Sequence, residues 1–194
     1  YQTLELAVEI QPAHLSMYCL TLEPGTPMEQ LIRSKQLPEP DTDLSADMYL
    51  AAEDAMVKPG YQHYEISNWA QPGRRSYHNL IYWHNEAFLG IGPGAHSYLS
   101  GYRFHNINSP REYINRVSEF SHLSSTMSQQ KKKYFSLDRI PVISTVEKID
   151  QHMEMSETMM LGLRLEAGIN TRGFAKHFGL TPMEAYPGII DDMA

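Results

Sequence analysis

The stretch "YEISNWAQPGRRSYHNLIYWHNEAFLGIGPGAHSY", residues 64–98, joins three kinds of sequence. It opens on an apolar, strand-like segment, passes through a Pro-Gly turn followed by two arginines, and ends in alternating glycines. Glycines of this kind let another backbone or a ligand approach closely, and Pro93 removes one donor from a sheet. We therefore predict a strand over residues 88–99 whose regular pairing fails near Pro93.

The residues on the amino-terminal side predict a strand, a helical crossover and a second strand. Apolar character predicts strands over residues 15–22 and 61–67. Between them, apolar side chains recur at helical spacing, at Leu44, Met48, Ala51, Ala52, Ala55 and Met56. A right-handed crossover joins parallel strands, with chemistry at their carboxyl ends. We expect these two strands and residues 88–99 to form one sheet, parallel where the helix joins them.

Helix starts are marked by a repeated capping pattern. "TPME" at residues 26–29, "SPRE" at 109–112 and "TPME" at 181–184 each place a hydroxyl before proline and a glutamate three residues later. "TLELAVEI", residues 3–10, predicts the end of one more helix. Helices alternating with strands indicate an α/β protein.

A polar segment with a lysine triplet, residues 118–139, predicts a linker or an insert. The predicted organisation is a first domain over residues 1–117, a linker over 118–140 and a helical domain over 141–194. Because the sequence stops just after a new helix has begun, we interpret the chain as a fragment. Such a fragment would expose an unpaired sheet edge and would aggregate or dimerise.

Composition narrows the class of protein. Residues 1–70 carry 3 basic and 11 acidic side chains, whereas residues 71–140 carry 9 basic and 4 acidic ones. Scattered surface charge explains this better than a nucleic-acid site, because no motif of nucleic-acid recognition accompanies it. No apolar run approaches the ~20 residues of a membrane span, and no signal segment is evident, so we expect a cytoplasmic protein. The single cysteine, Cys19, excludes an internal disulfide and any all-cysteine cluster built from this chain alone.

The histidines invite several kinds of site. His78, His84 and His96 suggest zinc, but no pair has the i, i+4 spacing of a helical metal site and no C-x-x-C accompanies them. Cys19 and Ser97 lack the context of a hydrolase nucleophile, and "GIGPG" matches neither the dinucleotide nor the P-loop pattern. Surface or core histidines are the simpler explanation.

The same stretch also contains the types of residue that could bind a flat tetrapyrrole. A histidine for axial ligation, aromatic rings beside it and arginines suited to carboxylates occur together, at His78, Tyr77, Tyr82, Trp83, Arg74 and Arg75. Plain packing, with Tyr82 and Trp83 buried and Asn79 capping a turn, is the simpler explanation of the same residues. The residues alone leave both interpretations open.

The opening stretch resembles the segment "YEISNFA.PG..S.HN..YW…YLGIGPGAHS" of the HemW-type radical-SAM haem chaperones, relatives of the oxygen-independent coproporphyrinogen III oxidase. "LSMYCLTLEPGTP" and "SETMMLGLRLEAGIN" resemble two further family segments in the same order. The resemblance covers nearly all of the chain except residues 118–139. It implies an α/β fold, the carboxyl-side part of an incomplete radical-SAM (β/α) barrel followed by a helix-rich C-terminal region.

The resemblance also implies site residues. The family motif H-N-x-x-Y-W falls on His78, Asn79, Tyr82 and Trp83, with His78 as the haem-iron ligand. Contacts to S-adenosylmethionine would come from Thr21, Gly94, Ala95 and His96. The family's C-x-x-x-C-x-x-C is absent, so S-adenosylmethionine and a [4Fe–4S] cluster are expected only in a full-length parent.

Three functions stay open at this point. The first is a haem chaperone that delivers haem to acceptor proteins, membrane proteins among them. The second is an oxidase that decarboxylates coproporphyrinogen III, and the third is an inactive structural remnant. The H-N-x-x-Y-W motif favours the chaperone, because the resemblance does not extend this motif to the oxidases. Whether the protein is an enzyme stays open.

Overall fold

The computed structural model describes residues 2–126, 137 and 140–188. The chain forms two compact units, the first holding residues 1–80 and 163–168 and the second residues 81–162 and 169–194. Within the described residues, no helix combines the length and the apolar character that crossing a membrane requires.

The first unit begins with a helix and builds a small sheet. Its elements are α1 (Gln2–Ile10), β1 (His14–Ser16), α2 (Pro27–Arg33), α3 (Thr42–Val57), β2 (Gln62–Glu65) and β3 (Asn68–Ala70). Helix α4 (Tyr77–Trp83) follows and contains the last residues of the first unit and the first of the second.

In its described residues, the second unit pairs three strands and adds four helices. Its elements are β4 (His96–Leu99), β5 (Tyr102–Asn106), α5 (Pro110–Thr126), β6 (Ile143–Lys148), α6 (Gln151–Gly162), α7 (Thr171–Phe178) and α8 (Pro182–Ala185). Arg103 on β5 ties the layers of this unit together, since its guanidinium lies 2.6 Å from Glu157 on α6 and 3.4 Å from Glu147 on β6.

The first two predicted strands lie in one sheet and run parallel, as expected, but an unpredicted strand lies between them. The sheet has the order β1-β3-β2, and β3 runs antiparallel to both neighbours. Strands β1 and β2 therefore point in the same direction, as a helical crossover requires, but β3 lies between them. The reason is a two-residue turn at Ile66 and Ser67, where a Glu65 carboxylate oxygen accepts the Ser67 N–H at 3.0 Å. Ile-Ser carries none of the usual hairpin signals, so the sequence hides this turn.

The prediction of one common sheet is wrong for residues 88–99. Only His96–Leu99 is a strand, and it pairs with β5 in a separate antiparallel sheet of order β4-β5-β6. Phe88 makes an isolated bridge to Tyr98. The predicted first strand, residues 15–22, is likewise shorter, because β1 ends at Ser16.

The helix predictions are confirmed at their capping residues. The Thr26 and Ser109 hydroxyls each accept a backbone N–H three residues later, both at 3.3 Å. Thr181 and Glu184 form a complete capping box. The predicted crossover helix is α3, which Asp41 caps by accepting the Leu44 N–H at 2.9 Å. Helix starts are local hydrogen-bond arrangements, so short sequence patterns suffice to predict them.

The core of the first unit lies between the sheet and the helices around it. Met56, Tyr61 and Trp69 are buried together, and partly buried side chains of α1, β1 and α3 pack against them. The Trp69 indole stacks on the His63 ring at 4.4 Å between centroids. Aromatic burial of this kind supplies much of the stability of a small core.

The predicted linker falls partly on a helix. Residues 118–126 belong to α5, whereas residues 127–136 and 138–139 lie outside the described residues. The domain boundaries at residues 117, 118–140 and 141 stay a prediction.

The glycine run is fixed by contacts within its own unit. A Cβ on Gly90 would lie 2.2 Å from the His96 carbonyl oxygen, so only glycine fits there. The close approach that the sequence predicts is therefore made by the chain's own backbone. The Gly90 N–H donates to the buried Ser97 hydroxyl at 3.0 Å, and the Asn106 amide donates to the Gly92 carbonyl at 2.9 Å.

Replacing Gly90 by alanine should destabilise the protein strongly. The added methyl group would collide with the backbone of His96, so either the loop or β4 must move. We expect the free energy of unfolding to fall by more than about 3 kcal/mol. Urea unfolding measures it. Gly73→Ala is the matched control, because open space surrounds Gly73 and only its positive φ of 76° is strained, at a cost of about 1 kcal/mol. Equal losses in the two variants would contradict the steric explanation.

Candidate functional site

Helix α4 carries all four residues of the H-N-x-x-Y-W motif. Its start follows a turn in which the Arg74 N–H donates to the Gln71 carbonyl at 2.9 Å. The Ser76 hydroxyl then accepts the Asn79 N–H at 3.3 Å, as an N-cap does. His78 and Tyr82 lie four residues apart and therefore share one face of the helix.

The buried Tyr64 ties the start of α4 to the sheet. Its side chain is 1% exposed. Its oxygen accepts the Ser76 N–H at 3.3 Å and a hydrogen bond from the Asn79 side chain, and it lies 2.8 Å from the His14 Nε2. Because two donors already point at the oxygen, the phenolic proton is left for His14, whose Nε2 accepts it.

The electrostatics of Tyr64 agree with this geometry. Burial raises the pKa of the Tyr64 phenol, while the hydrogen bonds from Ser76 and Asn79 lower it. The net direction is upward, so the phenol stays neutral and keeps its proton for His14. One side chain thus joins strands β1 and β2 to the first turn of α4.

The predicted haem residues occupy different surroundings. His78 is exposed, whereas Asn79 is half-buried and turned toward Tyr64. The Tyr82 ring meets the Phe88 ring edge-on at 4.6 Å between centroids, and Trp83 is half-buried. Helix α4 therefore places all four residues within two turns, with Asn79 holding the helix and His78 facing solvent.

A cleft of about 730 Å³ in the second unit begins at Trp83. Its walls are rich in aromatic and imidazole side chains, among them Trp83, His84, Tyr98, Phe174, His177 and Phe178. This volume lies within the range of small-molecule sites. The cleft is not predictable from the sequence, because its walls come from segments far apart in the chain and no local pattern links them.

A carboxylate organises one side of this cleft. Glu154 on α6 accepts a hydrogen bond from the buried Tyr98 hydroxyl, and its Oε1 lies 2.9 Å from the His177 Nε2. Burial, together with this carboxylate, raises the pKa of Tyr98 to about 12. The Asn85 amide donates to the Thr158 hydroxyl at 3.1 Å on the same wall. The cleft therefore has ordered polar groups on α6 beside its aromatic ones.

The predicted S-adenosylmethionine contacts belong to both units. Thr21 is exposed in the first unit, in the loop after β1. In the second unit, the Gly94 N–H donates to the Ile107 carbonyl at 2.9 Å, and the Ala95 carbonyl accepts the Asn106 N–H at 3.0 Å. The exposed His96 ring lies 5.0 Å from the His105 ring. These backbone groups are engaged within the fold, and a role for the four residues in cofactor binding stays a prediction.

The described part of the chain offers little basis for binding a metal ion. Among residues 2–126, 137 and 140–188, no group of three or more His, Cys, Asp or Glu side chains is placed to hold a metal ion. Cys19 is exposed, and the full sequence has no second cysteine. The donor set therefore does not fit a [4Fe–4S] cluster, which needs several thiolates.

Comparison with known proteins identifies relatives over nearly the whole chain. The family described as "HemN C-terminal domain" matches residues 149–193. The heme chaperone HemW of Bacillus subtilis is 32% identical over 99% of this chain and 46% of its own length. HemW of Lactococcus lactis is 32% identical over 90% of this chain and 40% of its own length. The chain thus spans less than half the length of these curated relatives.

A solved structure shares the fold. Coproporphyrinogen III oxidase (HemN) from Escherichia coli, a radical SAM enzyme, superposes with a TM-score of 0.66 at 12% identity. The match covers 100% of this chain and 43% of the oxidase. It confirms the predicted fold class, an α/β arrangement that corresponds to part of the fold of that enzyme, although residues 88–99 lie in a separate sheet.

Tyr64→Phe should loosen the attachment of α4. The change removes the hydroxyl that accepts hydrogen bonds from Ser76 and Asn79 and donates one to His14. We therefore expect the free energy of unfolding to fall by about 2 kcal/mol. Urea unfolding at neutral pH measures it. Tyr77→Phe, an exposed tyrosine of the same helix, should change stability by less than about 0.5 kcal/mol. A silent Tyr64→Phe variant would show that the phenol does not secure the helix.

Tyr98 should make the stability of the protein sensitive to alkaline pH. The pKa of an unfolded tyrosine is about 10, whereas the folded Tyr98 has a pKa of about 12. The stability from this group is complete below pH ~10 and is lost as the pH rises through the folded pKa, by about 1 kcal/mol per unit in that interval. The free energy of unfolding of the wild type minus that of Tyr98→Phe should therefore fall across this window. A constant difference would contradict the shifted pKa.

Proposed function

We propose that this chain, a relative of the HemW haem chaperones over almost its whole length, holds haem on helix α4 and passes it to acceptor proteins. The observation that carries the proposal is the exposed His78 on a short helix whose start is fixed by the buried Tyr64. An imidazole nitrogen is a common axial ligand of haem iron.

The surroundings of His78 suit a cargo that must leave again. The imidazole is exposed and is presented by a helix that is already attached to the sheet, so binding does not require folding of the site. Tyr82 shares the face of His78 and offers an aromatic ring, which Phe88 supports edge-on at 4.6 Å. An open site of this kind lets an acceptor protein approach the bound haem from the solvent side.

The other motif residues would act on either side of this contact. Asn79 orients α4 through its hydrogen bond to Tyr64 and would not itself touch the iron. Trp83, at the end of the helix, begins the aromatic cleft of the second unit. We assign Asn79 to positioning and Tyr82 and Trp83 to apolar contact with the macrocycle.

Radical chemistry is outside what this chain supplies. When bound, S-adenosylmethionine and a [4Fe–4S] cluster generate radicals in enzymes of this superfamily, but one cysteine cannot hold such a cluster. Thr21, Gly94, Ala95 and His96 are the residues we propose to contact S-adenosylmethionine in a longer parent protein. No step of the haem transfer proposed here depends on them.

An oxidase acting on coproporphyrinogen III is the second candidate. The Escherichia coli oxidase shares the fold at 12% identity, and this likeness supports the fold alone. A remnant that binds nothing is the third. The chaperone proposal places the protein in the cytoplasm with haem-acceptor proteins as partners, some of them membrane proteins, and with a dimer as one oligomeric state.

Replacing His78 should weaken haem binding. In the protein expressed in the longest form that its gene encodes, His78→Ala should lower haem affinity by roughly tenfold or more and shift the Soret band, because the iron loses its nitrogen ligand. His84→Ala is the matched control, an exposed histidine six residues further along that should change neither quantity. Absorbance titration with haem measures both.

The outcomes separate the candidate functions. An unchanged affinity and spectrum in His78→Ala would remove the ligand assignment. Transfer of bound haem to an apo-acceptor protein supports the chaperone, whereas release of carbon dioxide from coproporphyrinogen III would support the oxidase. If the wild type neither binds haem nor releases carbon dioxide from coproporphyrinogen III, the inactive remnant is the explanation that is left.

A further inference from the structure

A haem carries two propionate groups, so a site that recognises it gains from a cation beside the iron ligand. Arginine suits this task because its planar guanidinium pairs with a carboxylate through two parallel hydrogen bonds. Arg74 and Arg75 immediately precede the cap of α4 in the first unit. Arg75 and His78 are three residues apart, so their Cα atoms are separated by at most ~11 Å.

Arg75 is held in place before any ligand arrives. Its guanidinium carbon lies 5.7 Å from the centre of the Tyr64 ring, a cation–π arrangement on a ring that is itself 1% exposed. The next residue, Ser76, donates its N–H to the Tyr64 hydroxyl at 3.3 Å. The ring of Tyr64 thus holds the Arg75 guanidinium, and its hydroxyl holds the start of the helix that presents His78.

The existing carboxylate partner of Arg75 is weak. The Nη2 atom lies 4.0 Å from an oxygen of Glu166, at the outer limit of an ion pair, and the Glu166 side chain is 65% exposed. Such pairs contribute little to stability in water. A propionate could therefore displace Glu166 at little cost in free energy.

We propose that Arg75 binds a propionate of the haem whose iron His78 ligates, and so selects a carboxylated tetrapyrrole. This inference rests on the proposed function and adds to it the group that recognises the edge of the macrocycle. Arg74 has the same charge, but its side chain is exposed in the turn before Arg75. The fixed guanidinium loses less freedom on binding, which is why Arg75 is the recognition residue.

The test compares haem with haem dimethyl ester, which lacks free carboxylates. In the protein expressed in the longest form that its gene encodes, Arg75→Gln should weaken haem binding by about tenfold and leave the affinity for the ester unchanged. Arg74→Gln is the matched control and should change haem affinity by less than about threefold. Arg75→Lys keeps the charge without the planar fork and should fall between wild type and Arg75→Gln.

A second variant should raise haem affinity instead of lowering it. Glu166→Gln removes the carboxylate that competes for Arg75, so haem affinity should rise, by up to about fivefold, with no change for the ester. Thermal unfolding of each variant identifies any loss of folding, and Arg75→Lys and Glu166→Gln decide the matter if Arg75→Gln does not fold.

The possible failures can be told apart. Three results would overturn the assignment of Arg75. Arg75→Gln or Arg75→Lys could lower the affinities for haem and ester equally, or could lower neither affinity. Arg74→Gln could also lower haem affinity as much as Arg75→Gln does. After any of those results, the haem site at His78 still stands if His78→Ala weakens the binding of both haem and the ester. If the wild type binds neither ligand, the proposed function itself fails.

Discussion

The phenol of Tyr64 is the constraint on which the candidate site depends. It is buried in the first unit, where it contacts His14 on β1 and accepts hydrogen bonds from Ser76 and Asn79 at the start of α4, and the Arg75 guanidinium lies over its ring. A buried hydroxyl without these partners would cost free energy, so the arrangement is favourable only when strand and helix are both in place. The exposed His78 is therefore presented by a helix with a fixed start.

The second unit obeys a different constraint, the contact between Gly90 and the backbone of His96. No side chain fits at Gly90, and the neighbouring N–H and carbonyl groups are bonded by Ser97 and Asn106. These contacts hold the start of β4, which places Tyr98 against Glu154 in the aromatic cleft. The glycines thus serve the architecture of the chain, and any contact with a ligand uses a loop that is already ordered.

Local features were predictable and pairings were not. The caps at Thr26, Ser109 and Thr181 and the helix around Met48 follow from patterns within a few residues, and the structure contains each of them. Strand β3 and its place between β1 and β2 were not predicted, because the turn at Ile66 and Ser67 has no glycine or asparagine to indicate a hairpin. The four motif residues on α4 were found through a resemblance, since the chemistry of His78 alone did not separate ligation from packing.

The sequence by itself determined the helix starts, the need for glycine in the loop, the lack of cluster cysteines and the motif on α4. These depend on the covalent nature of each residue and on neighbours within one turn. Only the tertiary structure decided that β3 separates β1 from β2, that Tyr64 supports both Asn79 and Arg75, and that Glu154 meets Tyr98 and His177. The physical reason is that these contacts join residues far apart in the chain, and burial makes them favourable only after the fold has excluded water.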